Sequence, residues 1–160
     1  MAHNFAFRDF LDSFGLNYDA AVFTAIVIYH DAAIEAGSSF AVLRFWFGLE
    51  IMMRLGEDLP VIGAARRLKT AFRKKPAIWD VGVKRLLEKR NKIVHHGVMN
   101  TEPQDPYFAK VLYEFTLGLL LAYRKEYSHT EAIASLLDMG NRDSETLGEV
   151  KRAVDHLYTT

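Results

Sequence analysis

The chain reads as an all-α helical bundle, and three features of the sequence carry that reading. Apolar residues recur every three or four positions through most of the 160 residues. Gly37, Gly56 and Gly97, with Pro60, Pro76 and Pro106, fall between these periodic runs, where helices stop and start. No strict apolar–polar alternation is bounded by hairpin turns; the most β-rich stretch, Phe23–Tyr29, lies inside a longer helical pattern and reads as buried helix.

Each element follows in order. Asn4 caps a short amphipathic segment with Phe7, Phe10, Leu11 and Phe14 at helical spacing, stopped by Gly15. Tyr18–Ala36 continues the period through Val22, Phe23, Ile26, Tyr29, Ala33 and Ile34, and Gly37 ends it. Ser38 or Ser39 opens the next helix, which runs through Phe40, Leu43, Phe47, Ile51 and Leu55 to Gly56. Pro60 suits the start of a basic helix over Val61–Lys75, and Pro76 starts another that reaches His96 with Gly97 as its terminator. After a polar loop, Asp105-Pro106 predicts a cap followed by a first-turn proline. The longest apolar helix, Tyr107–Tyr127, turns Val111, Leu112, Phe115, Leu119, Leu120 and Tyr123 inward. Ser128-His-Thr-Glu131 fits a capping box, and short helices around Ile133–Met139 and Thr146–Leu157 finish the chain. Trp46, Trp79 and the phenylalanines are spaced like core residues rather than base-stacking platforms.

Composition bounds the function. Half of the chain is hydrophobic and a quarter charged, as in ordinary globular proteins, and the length suits one domain with a core of its own. The absence of cysteine excludes disulfides, thiol catalysis and Cys-ligated zinc. The start, Met-Ala-His-Asn, is no secretory n-region, and Arg44, Glu50, Lys110 and Glu114 interrupt the longest apolar stretches. The sequence therefore predicts a cytoplasmic, soluble protein of one domain with no membrane partner.

The balance of 20 Lys+Arg against 20 Asp+Glu hides an asymmetry. Arg66, Arg67, Lys69, Arg73, Lys74, Lys75, Lys84, Arg85, Lys89, Arg90 and Lys92 are opposed within their stretch only by Asp80 and Glu88, a local excess of +9 that the rest of the chain offsets. Solvated helix faces ordinarily mix the signs. So one-sided a run reads either as a solvated face or as a surface for an anionic ligand, nucleic acid above all, contacted through phosphates by Arg66, Arg67, Lys69, Arg73, Lys74, Lys75, Lys89 and Lys92.

The sequence that stands out is Arg90-Asn91-Lys92-Ile93-Val94-His95-His96-Gly97. On a helix, five residues turn through about 500°, so Arg90 and His95 project about 140° apart and border one cleft only if a second helix closes it. Asn91, four residues before His95, shares its face. Adjacent His95 and His96 diverge by about 100°, a poor arrangement for zinc, so neither a metal nor a cofactor is expected. Glu50, an acid inside the apolar run LEIMM, is read either as an ion pair with Arg54 one turn on or as a support reaching the cleft.

This stretch resembles the motif of the HEPN superfamily, small helical domains of toxin–antitoxin, phage-defence and RNA-processing proteins: Arg, four to six residues, then His, often with Asn after the Arg, near the end of a long helix. The match has four intervening residues if His95 is the histidine and five if it is His96. The likeness in helix order covers about residues 18–127, with 1–15 and 128–160 as additions. It implies a metal-independent endoribonuclease, a homodimer in which two motifs form one composite cleft, and an antitoxin or other regulatory protein as a further partner. RNA supplies its own nucleophile, the 2′-hydroxyl. Histidine moves a proton near pH 7, and the permanently charged guanidinium forks onto phosphate. The resemblance thus assigns His95 or His96 as general acid or base, Arg90 as phosphate clamp and Asn91 as an orienting group. The products would be a 2′,3′-cyclic phosphate and a 5′-hydroxyl. One branch of the family carries a modifiable Tyr two residues after the histidine; Gly97 stands there after His95, so that control does not carry over. The alternative reading is a non-catalytic HEPN-like module that dimerises and binds RNA or protein.

Overall fold

The computed structural model describes residues 20–35, 38–99, 101–127, 129–140, 142 and 144–159. Seven α-helices account for most of them: α1 (Ala20–Ile34), α2 (Ser39–Arg54), α3 (Val61–Ala71), α4 (Lys84–His96), α5 (Gln104–Glu126), α6 (Thr130–Met139) and α7 (Ser144–Thr159). A π-helical turn, Ile78–Val83, leads into α4, and no strand occurs among the described residues. The fold is all-α. No described helix is long and apolar enough to cross a membrane.

α2 is the central element, packed against α1, α3, α4 and α5. Its Ala41, Val42, Phe45, Trp46, Leu49 and Met52 are buried and meet Val22 and Ala25 of α1, Leu68 of α3, Leu86 of α4 and Leu112 and Tyr113 of α5 in one core. Ser38 caps the helix by accepting from the Ala41 N–H at 3.1 Å. Gly48 lets α5 approach: a Cβ there would fall 2.3 Å from Cε2 of the Tyr113 ring. That ring meets Phe45 edge-on at 5.6 Å, and the Tyr113 hydroxyl donates to the Ala25 carbonyl, so one side chain ties three helices together. α6 extends the core with Ile133 and Leu137 against α3 and α5, whereas none of the described α7 side chains is buried.

Three boundaries depart from the sequence reading. α3 stops at Ala71 instead of Lys75, because Pro76 disfavours helical backbone at Lys75 and Phe72 turns into the core. The helix expected to run unbroken from Pro76 is interrupted by the π turn. Asp105 does not cap α5 but lies in its first turn, its carboxylate reaching back to accept from the Glu102 N–H at 2.7 Å. Phe40, Phe47 and Phe115, spaced like core residues, are exposed. α6 begins at Thr130 after His129; the segment capped by Asn4, the capping residue Ser128 and the side chain of Trp79 lie outside the described residues.

Gly48→Ala is expected to lose about 2 kcal/mol, the usual cost of overpacking, because the new methyl meets a ring held on its other sides. A urea-unfolding midpoint that does not fall in this variant would contradict the packing described.

Candidate functional site

The Arg-His motif is positioned by a polar residue inside the core. Trp46, Glu50 and Arg54 stand one turn apart on one face of α2. Glu50 is only 4 % exposed, and a carboxylate so placed needs donors and a counter-charge. Trp46 Nε1 donates to Oε1 at 2.5 Å, Arg54 Nη2 lies 3.5 Å from Oε2, and Arg90 Nε of α4 lies 3.5 Å from Oε1. Glu50 thus pairs both with Arg54, one turn on, and with Arg90 of α4. Arg90 Nη1 in turn donates to Asn91 Oδ1 at 3.1 Å, so the neighbouring amide engages the guanidinium.

α4 ends directly beyond. Gly97 adopts the left-handed region at φ 64°, its N–H donating to the Ile93 carbonyl at 3.0 Å while the Val98 N–H reaches the Lys92 carbonyl at 3.3 Å. This termination places His95 and His96 in the last turn, both exposed, their ring centres 6.5 Å apart and inclined by 66°. The following loop is tied back to the start of α2: Ser39 Oγ donates to the Met99 carbonyl at 3.2 Å and lies 2.8 Å from Thr101 Oγ1. α2 therefore holds the motif helix at Glu50 and the loop after it at Ser39, which sets the two helices antiparallel.

A groove of about 530 Å³ opens beside Arg90 between α1, α2 and α4. Phe40, Leu43, Phe47 and Val94 give it apolar walls, and Phe47 is 59 % exposed. Arg44 sits at its edge, paired with Glu35 at 3.0 Å and Asp31 at 3.7 Å. The sequence reads Trp46 and the phenylalanines as core and Ser39 as a possible helix start rather than as parts of a site; the i,i+4 spacing of Trp46 to Glu50 is the signal that links Trp46 to the motif.

The eleven cations of the basic segment separate into different environments. Arg67 is not a surface cation: it is 1 % exposed, with Nε and Nη2 donating to Asp138 at 2.7 and 2.6 Å, Nη2 also to Glu57 at 2.6 Å, and Nη1 to the Met53 and Arg54 carbonyls at 3.0 and 3.3 Å. It joins α3 to the end of α2 and to α6 and leaves nothing for RNA. Lys89 lies 3.4 Å from Asp105 and 3.9 Å from Glu102, and Arg85 donates to Asp105 at 2.9 Å and lies 2.9 Å from Glu102. Two acids from outside the basic stretch thus neutralise this part of α4. Arg66, Lys69, Arg73, Lys74, Lys75 and Lys92 are exposed. Arg73–Lys75 precede the π turn, so the length of α4, about 20 Å, separates them from the histidines.

Asp105 is buried, which pushes its carboxyl up, but the Glu102 N–H and the Arg85 and Lys89 cations outweigh burial and hold it below the usual carboxylate range. No three His, Asp or Glu side chains cluster so as to hold a metal ion among the described residues. Comparison of the chain with protein-family models, curated proteins and solved structures finds no match.

Two measurements check these contacts. Glu50→Leu is expected to cost about 3 kcal/mol because it strands Arg90 and Arg54 beside the core, and adding Arg90→Met should cost less than the sum of the two single changes. Additive losses in urea unfolding would mean that Glu50 and Arg90 do not interact. Asp105→Asn should lose roughly 1–3 kcal/mol at pH 7. A depressed carboxyl stabilises above its unfolded pKa and loses that contribution as pH falls through its folded pKa, so wild type and variant should converge in acid. A difference in melting temperature that is the same at neutral and acid pH would rule this out.

Proposed function

We propose that the protein is a metal-independent endoribonuclease of HEPN type, acting as a homodimer whose two motifs share one cleft. The observation that carries this reading is the anchoring of Arg90 on buried Glu50, on the same helix as exposed His95 and His96 and on the wall of an apolar groove. In this reading one imidazole takes the proton of the ribose 2′-hydroxyl as its oxygen bonds to phosphorus, and an imidazole returns a proton to the 5′-oxygen as the P–O5′ bond breaks. Arg90 faces the charge that grows on the phosphoryl oxygens. Exposed Phe40, Phe47 and Val94 are the surface that a second copy would cover, and two-fold pairing would bring two self-complementary patches and two motifs together. A second reading, a non-catalytic module that dimerises and binds RNA or protein, draws on the same ion pair. A guanidinium committed to a buried carboxylate offers less charge to phosphate.

Incubation with total RNA in the presence of chelator separates the two. Cleavage to cyclic-phosphate ends is expected, abolished by Arg90→Ala and by one of His95→Ala and His96→Ala, whichever histidine reacts. Phe47→Asp should yield a folded monomer of about 18 kDa in sedimentation with no cleavage. Absence of cleavage in the wild type, with RNA still bound, selects the module; activity in the Phe47→Asp monomer removes the composite cleft.

A further inference from the structure

Phe115 breaks the pattern of its own helix. Apolar periodicity turns it inward with Leu112 and Leu119, yet its ring is 53 % exposed. It forms the floor of a second groove, about 390 Å³, between the turn after α3 and the middle of α5. The Phe72 ring stands behind it at 6.3 Å, inclined by 48°, and Lys75 Nζ rests over its face, 4.9 Å from the ring centre. Lys74 also lines the groove, and exposed Arg73 precedes it in the chain. Glu114, the carboxylate in the lining, is already engaged: its Oε1 accepts from the Tyr29 hydroxyl at 2.5 Å and lies 3.8 Å from Lys110 Nζ. What faces solvent is an apolar floor whose aromatic ring is capped by one lysine, with further cations along one edge.

We propose that this groove is a stacking subsite for an unpaired base of single-stranded RNA, a proposal that rests on the ribonuclease reading above. The base lies on the Phe115 face, Lys75 swings from the ring to the adjoining phosphate, and Lys74 and Arg73 meet its neighbours. The chemistry favours RNA over an acidic peptide. Every base has a π-face for the ring and a phosphate on either side for the lysines, whereas the acidic side chains of such a peptide offer charge without an aromatic face to lie on the floor. Stacking tolerates any sequence, and phosphate contacts read none, so the subsite would grip RNA without selecting the cleaved bond. The length of α4 lies between Arg73–Lys75 and the histidines, so the site engages a part of the strand distant from the motif of its own protomer.

The test uses the wild-type chain and 2′-O-methyl oligouridylate, which lacks the nucleophile and is not cleaved, beside an abasic oligomer of equal length. Fluorescence anisotropy should show the base-bearing strand bound about tenfold more tightly. Phe115→Ala should erase that preference, Phe115→Leu should do the same while keeping apolar packing, and Phe115→Tyr should restore it. Lys74→Gln with Lys75→Gln should weaken both strands alike and flatten the salt dependence. An undiminished base preference in Phe115→Ala and Phe115→Leu overturns the subsite and leaves the ribonuclease reading intact. Failure of the wild type to bind either strand overturns both. A poly-glutamate peptide that binds as tightly as the abasic strand, and is weakened equally by Phe115→Leu, makes the groove a peptide site and also overturns the proposal.

Discussion

A carboxylate inside a helix bundle survives only when the neighbouring elements bring it donors and positive charge. Glu50 sits in the middle of α2, the helix against which α1, α3, α4 and α5 pack, so its requirements are met from the centre of the molecule. Trp46 and Arg54 belong to the same helix and approach it whenever α2 forms. Arg90 does not; it reaches Glu50 only when α4 lies antiparallel across α2. The pair therefore joins local structure to tertiary structure. Helix formation creates an acid that is incompletely neutralised, and docking α4 supplies its second cation.

That dependence explains the unequal halves of the motif. Arg90 is oriented by contacts that form with the core, whereas His95 and His96 extend from the last turn, past the point where α2 holds α4. The Ser39 contacts with Met99 and Thr101 restrain the loop after the histidines, while the imidazoles remain open to whatever meets that surface. On the proposed function this division is useful. The group that stabilises charge gains from a fixed position, and the groups that exchange protons need contact with substrate and with the second copy.

Most of the fold was legible because helices announce their ends. Gly97 marks the termination of α4, and Ser38 caps α2 where the polar punctuation put a start. The direction in which residues face was less legible on the most apolar helix. α5 offers apolar side chains on more than one face, and its period turns Leu112 and Phe115 inward together although only Leu112 enters the core. Arg67 shows the matching limit for charge. Its neighbours Arg66 and Lys69 are exposed, and nothing in the local pattern marks the one guanidinium that turns inward to the end of α2 and to Asp138, 71 residues away. Glu50 was visible as an acid among apolar residues, and Arg54 as its i+4 neighbour, but Arg90 is a long-range partner that only the packing of α4 supplies.

The same distinction reshapes the basic segment. As a string it holds eleven cations and two acids, but the fold assigns those charges separately. Arg67 is engaged in the core, Arg90 by Glu50, and Arg85 and Lys89 by Glu102 of the loop before α5 and Asp105 of its first turn. Partnered charges screen one another at short range and contribute little to the field felt by an approaching polyanion. Among the cations that are exposed, Arg73, Lys74 and Lys75 are the densest run. That run precedes the π turn, and of the exposed cations in the segment only Lys92 stands within the motif, so most of the exposed basic charge lies away from the candidate chemistry.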